Sequence, residues 1–472
     1  MAQAKGKKET KALKERLFSK PELVWDKLSS KEKDQVFDLG ERYKQFLSKA
    51  KTEREAVDEI IATAEAAGFR DINKAGRSRK LYAVNGAKAA ALAVLGSEPL
   101  HMGLRIVAAH LDCPRLDLKQ NPLYEDLDMA YLKTHYYGGI KKYQWVARPL
   151  AVHGKVVLAD GRELDLKIGE AADEPVFIVN DLLPHLAQNV QATKKMADIV
   201  VGEKLNVLIG ALPYPDTDVS DRFKLAVLVY LNNTYGITED DLVSAELEVV
   251  PAGPAKDVGM DRSMVGSYGQ DDRASAFMAL SALCEVLNPT YTCLALFVDK
   301  EEVGSEGPTA AKSRFFQMVV MDLFAKAGEP VLVSHLEKAL FRSKAISADV
   351  NAAMDPDWAE VHEKRNAARL GYGISLSKFG GIRGKVGSND ASAEYVGWLR
   401  RVFKNAGIVW HTGELGKVDE GGGGTIAKFL AEHGMDVVDM GVPVLSMHSP
   451  FEITHKGDIY MGCRAFKAFF ST

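Results

Sequence analysis

Four short apolar runs in this chain each end at a side chain able to hold a cation. Leu104 to Ala109 runs into His110-Leu111-Asp112, and Cys293 to Val298 into Asp299-Lys300-Glu301-Glu302. Lys344 to Ala348 leads to Asp349, and Val444 to Met447 to His448. Short apolar runs alternating with helical segments read as strands buried on both faces, which means an open α/β sheet with helices on both sides. In such sheets ligands gather beyond the carboxyl ends of the strands. The pattern therefore constrains the fold and places a site at one edge of it. A further pair, Asp271-Asp272, opens a predicted helix within GSYGQDDRASAF.

The spacing predicts strands at Gly103–Ala109, Cys293–Val298, Ala345–Ala348, Gly373–Leu376 and Val437–Met447. It predicts helices over 29–67, with a capping-box start at Ser30, and over 274–286 and 388–405. Residues 117–255 read differently. WVARPLAVHGKVVLADGRELDLKIG alternates across a DGRE turn, and AELEVVPAG is a further strand candidate. The reading is a mostly β domain over 117–255, inserted into an α/β domain made of 1–116 and 256–472.

Charge and composition exclude several classes. Lys and Arg number 60 against 64 Asp and Glu, a net charge of −4. Phosphate binding wants a basic face, so nucleic acid is not expected as a partner. No apolar run approaches the roughly 20 residues of a membrane helix, and the first twenty residues are too charged for a signal peptide. That basic tip reads as a solvated tail or an intersubunit arm. Cys113, Cys284, Cys293 and Cys463 lack CxxC spacing and read as free thiols in a reducing compartment, which points to the cytoplasm. The sequon at Asn232 is then expected to stay unused.

Each candidate residue has a plain reading on its own. Asp271 could cap a helix, Asp349 could cap a turn, and Glu301-Glu302 could be a solvated pair. Those readings do not bring all of them to one sheet edge. Two imidazoles with several carboxylates suit two divalent cations, Zn²⁺ or its neighbours Co²⁺ and Mn²⁺. Asp112, two residues after His110, is placed to accept a ring N–H and fix the ligand's tautomer. Of the adjacent Glu301 and Glu302, one can bind metal while the other handles the proton of a water. The glycine run Gly421–Gly424 lacks the Lys-Ser/Thr ending of a phosphate loop.

The stretches AAHLDCPRLDLK, GQDDRASAF, VDKEEVGSEG, ISADVNAAMDP, GGGGTIAKFL and VDMGVPVLSMHSPFE together resemble the M18 aminopeptidases, the aspartyl aminopeptidase family of zinc exopeptidases. The resemblance runs in order from about residue 80 to Phe470. It implies a zinc-exopeptidase, phosphorylase/hydrolase-like, three-layer α/β/α catalytic domain with an inserted β-rich dimerisation domain. It implies that His110 and Asp349 hold one metal ion, Glu302 and His448 the other, and that Asp271 bridges them. Asp112 would orient His110, Glu301 would be the general base, and Gly422 and Gly423 would line the substrate site. The implied activity is removal of N-terminal residues from peptides, with Asp or Glu as candidates. Lys378 is the expected cation for such a first residue, with Lys141 and Lys142 as further candidates. The implied assembly is a tetrahedral dodecamer built from dimers.

The chain departs from the family around the substrate. Asp272 replaces an Asn, and Asn351 replaces the His of a Ser-Ala-Asp-x-x-His-Ala pattern. Tyr143 or a lysine beside it stands where a His often reaches a neighbouring subunit's site, and Phe451 stands in place of an Arg. Other readings on the same scaffold are an M42-type peptidase, a metal-dependent deacylase and a non-catalytic scaffold or cargo protein.

Overall fold

Every residue of the strands Ala89–Val94, Arg105–His110 and Cys293–Val298 is buried. Strands without a polar face need helices on both sides of their sheet. The computed structural model describes the backbone of residues 2–472 and the side chains from Thr10 onward. In it these strands form the middle of a nine-stranded mixed sheet. Four neighbours at its centre run parallel, in the spatial order Cys293–Val298, Arg105–His110, Lys344–Ser347, Asp436–Gly441. Val298 pairs with His110, and Ala108 with Ser347, so their carboxyl ends meet along one edge. Alternation divides the side chains between two cores. Val107, Ala109, Ala295 and Phe297 face the core formed with helices Ser30–Lys49, Glu53–Ala66, Gln270–Cys284, Ala393–Ala406 and Lys456–Phe470. Ile106, Ala108, Leu294 and Leu296 face the core formed with Phe315–Ala327, Val333–Arg342 and Ala427–Ala431.

A seven-stranded antiparallel sheet is built wholly from strands between Arg115 and Pro251. It has its own core around the fully buried Trp145. Its first strand, Arg115–Asp126, begins three residues after Asp112, so this β-rich domain leaves the α/β domain beside the sheet edge.

Three expectations are corrected in detail. The segment 29–67 is two helices, Ser30–Lys49 and Glu53–Ala66. Each has its own capping box, Ser29 with Glu32 and Thr52 with Glu55, so the first box starts one residue earlier than expected. Apolar periodicity continues through the break and hides it. The run Val437–Met447 is two strands in different sheets, Asp436–Gly441 and Pro443–Leu445. Gly441 packs so closely on Asp349 that an added Cβ would lie 1.9 Å from its carbonyl oxygen, and Pro443 has no N–H to continue a ladder. The helix expected from Ser388 begins at Ala393, where the Ser392 hydroxyl caps it by accepting from the Tyr395 N–H. The expected N-terminal arm lies partly outside the described residues. Among the described residues, no helix is long and apolar enough to cross a membrane.

Ion pairs join the two domains. Arg115, at the start of the inserted domain, meets Glu53 of the α/β domain at 3.2 Å, Asp117 at 2.8 Å and Glu248 at 3.1 Å. Burial pushes the Glu53 carboxyl up, but Arg115 and Lys88 outweigh it and hold it at about 2. Lys51 reaches across the same junction to the carbonyls of Pro251 and Gly253, each at 2.8 Å. Removing one partner of a buried network leaves charge unpaired. Arg115→Met is expected to lower stability in urea by about 3–5 kcal/mol; a change below about 1 kcal/mol would contradict this account of the junction.

Candidate metal centre

The sheet delivers its ligands from separate elements. His110 ends its strand. Glu301 and Glu302 occupy the 3₁₀ turn Glu301–Val303, just after Cys293–Val298. Asp349 follows Lys344–Ser347 by two residues. Asp271 and Asp272 have non-helical backbones at the start of Gln270–Cys284. His448 lies between Pro443–Leu445 and Glu452–His455 at φ +62°, a region that residues with a Cβ seldom adopt. His110, Asp271, Glu301, Glu302, Asp349 and His448 line one cavity of about 290 Å³.

Asp271 stands between the two imidazoles. Its Oδ1 is 3.2 Å from His110 Nε2 and its Oδ2 is 3.2 Å from His448 Nε2. His448 Nε2 is also 3.3 Å from Glu302 Oε1. Two groups of side chains bring their ligand atoms within 4.8 Å of one another: His110, Asp271 and Glu302, and His110, Asp272 and Asp349. Asp272, read from the sequence as a replaced Asn, is thus close enough to share the His110 side.

The electrostatics call for cations. Both carboxylate oxygens of Asp272 are buried without a hydrogen-bond partner, and Glu302 Oε1 has none beyond the approach of His448. Burial, then Asp272 and Asp271, push the Asp349 carboxyl well above its usual range. Burial, then Asp271, do the same to Glu302. Burial acts to keep His448 neutral, but Asp271 and Glu302 outweigh it and raise the ring to about 10. Buried carboxylates that repel one another either protonate or bind metal. Imidazole nitrogen and carboxylate oxygen fit Zn²⁺, Co²⁺ or Mn²⁺, and no thiolate takes part.

Two other buried carboxylates hold the frame. Asp112 was expected to orient His110. The His110 Nδ1 meets the backbone oxygen of Asp112 at 3.0 Å and its carboxylate only at 3.4 Å. That carboxylate also accepts from the N–H groups of Glu301 at 3.0 Å and Glu302 at 3.1 Å, and from the Tyr137 hydroxyl at 2.8 Å. Glu452, which sequence reasoning missed, accepts from the N–H groups of Gln270 at 2.6 Å, Asp271 at 3.1 Å and His448 at 2.7 Å. Its signal was position alone, four residues after His448 within MHSPFE.

Gly422 and Gly423 line the cavity, paired with the strand Gly381–Ile382. The adjoining Thr425 hydroxyl donates to the buried carboxylate of Asp439. Lys378 is placed elsewhere. Its ammonium is half exposed, 2.8 Å from Asp390, and does not line the cavity. Lys142 lies over the Tyr136 ring. Phe451 packs on Gly266, where an added Cβ would be 2.3 Å from its ring. The remaining wall includes Asn351, Ala352, Phe379, Leu415, Met440 and Met447.

The sequence matches a family model described as aminopeptidase I zinc metalloprotease (M18) over residues 46–470. A probable M18 family aminopeptidase 1 of Clostridium acetobutylicum is 50% identical over 453 residues, covering 94% of this chain and 97% of that protein. The crystal structure of an M18 aminopeptidase from Thermotoga maritima superposes with a TM-score of 0.92 at 43% identity, covering 96% of this chain and 100% of that one. Yeast aminopeptidase 1 shares the fold, with a TM-score of 0.74 at 20% identity over 92% of this chain and 97% of its own. One solved structure of the yeast protein is a dodecamer.

The hydrogen bonds of Glu452 yield a direct test of the frame. Glu452→Gln turns an NH₂ toward backbone N–H groups that need an acceptor. Urea unfolding of the metal-free protein should show a loss of about 1–3 kcal/mol; unchanged stability would remove Glu452 from the frame.

Proposed function

The chain belongs to the M18 aminopeptidase family, and we propose that it is a binuclear metal-dependent enzyme releasing the first residue of peptides with a free amine. The observation that carries this reading is the division of Asp271 between His110 and His448. His110 and Asp349 would hold one ion, Glu302 and His448 the other, with one Asp271 oxygen for each. Zn²⁺ is the expected metal, and the same ligands suit Co²⁺ or Mn²⁺. Bound there, such ions supply Lewis acidity to the scissile carbonyl and a more acidic water.

Glu301 is the group left to move protons. It lines the cavity and shares a turn with Glu302, and Asp112 holds its backbone. Burial pushes its carboxyl up, with Asp271 and Asp112 adding to this and His110 offsetting part. A base poised in this way can take the proton of the attacking water and hand it to the leaving amine. Gly422 and Gly423 present side-chain-free backbone, which lets a peptide approach the wall closely.

The lining supports an uncharged first residue over Asp or Glu. Among the described residues no Lys or Arg lines the cavity, and Lys378 is paired with Asp390, a carboxylate it shares with Lys385. Four free thiols fit a cytoplasmic setting.

Self-association is the second part of the proposal. Helix Arg222–Tyr235 has no fully buried residue in the protomer, although Val227, Leu228 and Leu231 pack against the domain's core. It lies beside an apolar cavity of about 530 Å³ whose wall includes Ile168, Phe177, Leu212 and Tyr230. Leu212 is 80% exposed and Tyr230 53%. An apolar patch of this kind marks an interface, and closed symmetry is the usual arrangement for copies of one chain. The proposed assembly is a tetrahedral dodecamer built from six dimers, with the dimer contact through residues 117–255.

Two measurements test these readings. Glu301→Gln should lower kcat by about 10²–10⁴ with metal retained, while the unmutated enzyme cleaves Leu- and Met-peptides faster than Asp- or Glu-peptides and spares N-acetylated ones. Loss of metal in Glu301→Gln would exchange its role with that of Glu302, and cleavage of acylated amines would favour a deacylase. Light scattering should give a mass many times 51.6 kDa; a monomer at working concentration would refute the assembly.

A further inference from the structure

We infer that the inserted domain is a working part of the metal centre, its segment Tyr137–Gly139 positioning ligands on both sides of Asp271. The inference rests on the binuclear reading above and adds positioning residues to it.

Tyr137 ends the strand Met129–Tyr137 and pairs with Arg115 in the sheet. The Arg115 guanidinium lies 4.1 Å from its ring centre, and the same guanidinium is held by Glu53 and Glu248. The ring is thereby tied to the junction between the domains. Its hydroxyl donates to Asp112 Oδ2 at 2.8 Å. Asp112 in turn accepts from the N–H groups of Glu301 and Glu302, so Tyr137 acts on the base and on a metal ligand through one carboxylate.

Two residues on, the Gly139 carbonyl accepts from His448 Nδ1–H at 3.0 Å. With the ring neutral, as a metal ligand must be, that bond leaves the Nε2 lone pair free, and Nε2 faces Asp271 and Glu302. A Cβ added at Gly139 would lie 3.2 Å from His448 Nδ1. Between the two contacts, Gly138 adopts φ +72°, with Pro114 and the Glu302 side chain 3.3–3.4 Å from the position of an added Cβ. The turn that serves both contacts therefore needs glycine. Two residues of one domain, joined by Gly138, thus bond to Asp112, which supports the Glu301–Glu302 turn, and to His448, both of the other. Partners one step behind the ligands set ring orientation and ligand placement, and their loss typically costs about 10–100-fold in metal affinity or activity.

Tyr137→Phe keeps the ring over Arg115 and deletes the one hydroxyl. In a competition titration against a chromogenic chelator, its Zn²⁺ affinity should fall by about 10–100-fold. At saturating Zn²⁺, kcat should stay depressed while KM moves by less than about twofold, the signature of lost positioning and not of lost substrate binding. Gly139→Ala, which presses on His448 from the other side, should weaken Zn²⁺ in the same assay. Tyr136→Phe, one residue earlier and exposed, should match the unmutated protein. Unchanged Zn²⁺ affinity and kcat in Tyr137→Phe, or in Gly139→Ala if the first variant does not fold, would overturn the inference. Failure of the underlying reading has a different signature: the unmutated protein would bind no Zn²⁺, and the inference would fall with it.

Discussion

Much of this structure follows from one constraint, the burial of more carboxylates at a single sheet edge than nearby side chains neutralise. The groups divide by how they are satisfied. Asp112 and Glu452 each accept three N–H or O–H bonds, which oppose the effect of burial. Burial is outweighed at Asp112, where His110 and Tyr137 hold the carboxyl below its usual range, but burial and Asp271 still push Glu452 up to about 8. Asp271 and Glu302 meet only the imidazoles of His110 and His448, and Asp272 has no partner. Asp112 and Glu452 build the frame, Asp271 and Glu302 line the cavity, and Asp272 is fully buried beside His110. Local hydrogen bonding thus separates structural acids from ligands within a cluster a few ångströms wide.

The frame also explains how five elements hold one geometry. Parallel register brings Val298, His110 and Ser347 to a common edge. Asp112 then ties the Glu301–Glu302 turn to the His110 strand, and Glu452 ties the first turn of the Asp271 helix to the His448 loop. Each tie joins residues distant in sequence, so a shift in one element carries its ligand and its neighbour's together. The inserted domain enters this frame at Asp112, from which its first strand departs.

What could be read from the sequence was what local pattern encodes. Apolar runs ending in His110, Glu301-Glu302 and Asp349 gave the central strands and the residues beyond them, because both signals sit within a few positions. The hold of Asp112 on the Glu301–Glu302 turn and the tasks of Glu452 and Tyr137 were not legible. Asp112 acts on a turn 189 residues away, and nothing near it in the chain indicates this. The pairing of Lys378 with Asp390 was hidden for a related reason: Asp390 lies twelve residues on, and only the folded loop brings the two together. The division of segment 29–67 escaped because an apolar period continues across two helices whose capping boxes lie at Ser29 and Thr52. The junction pairing Arg115 with Glu53 and Glu248 likewise depends on three distant segments meeting.

The central claim is that Asp271 divides its oxygens between two cations. It is tested most directly by a crystal structure of the protein grown with Zn²⁺ and measured on both sides of the zinc absorption edge. The account predicts two anomalous peaks per subunit, one beside His110 and Asp349 and one beside His448 and Glu302, with Asp271 between them. A single peak, or peaks on residues other than these, would contradict it.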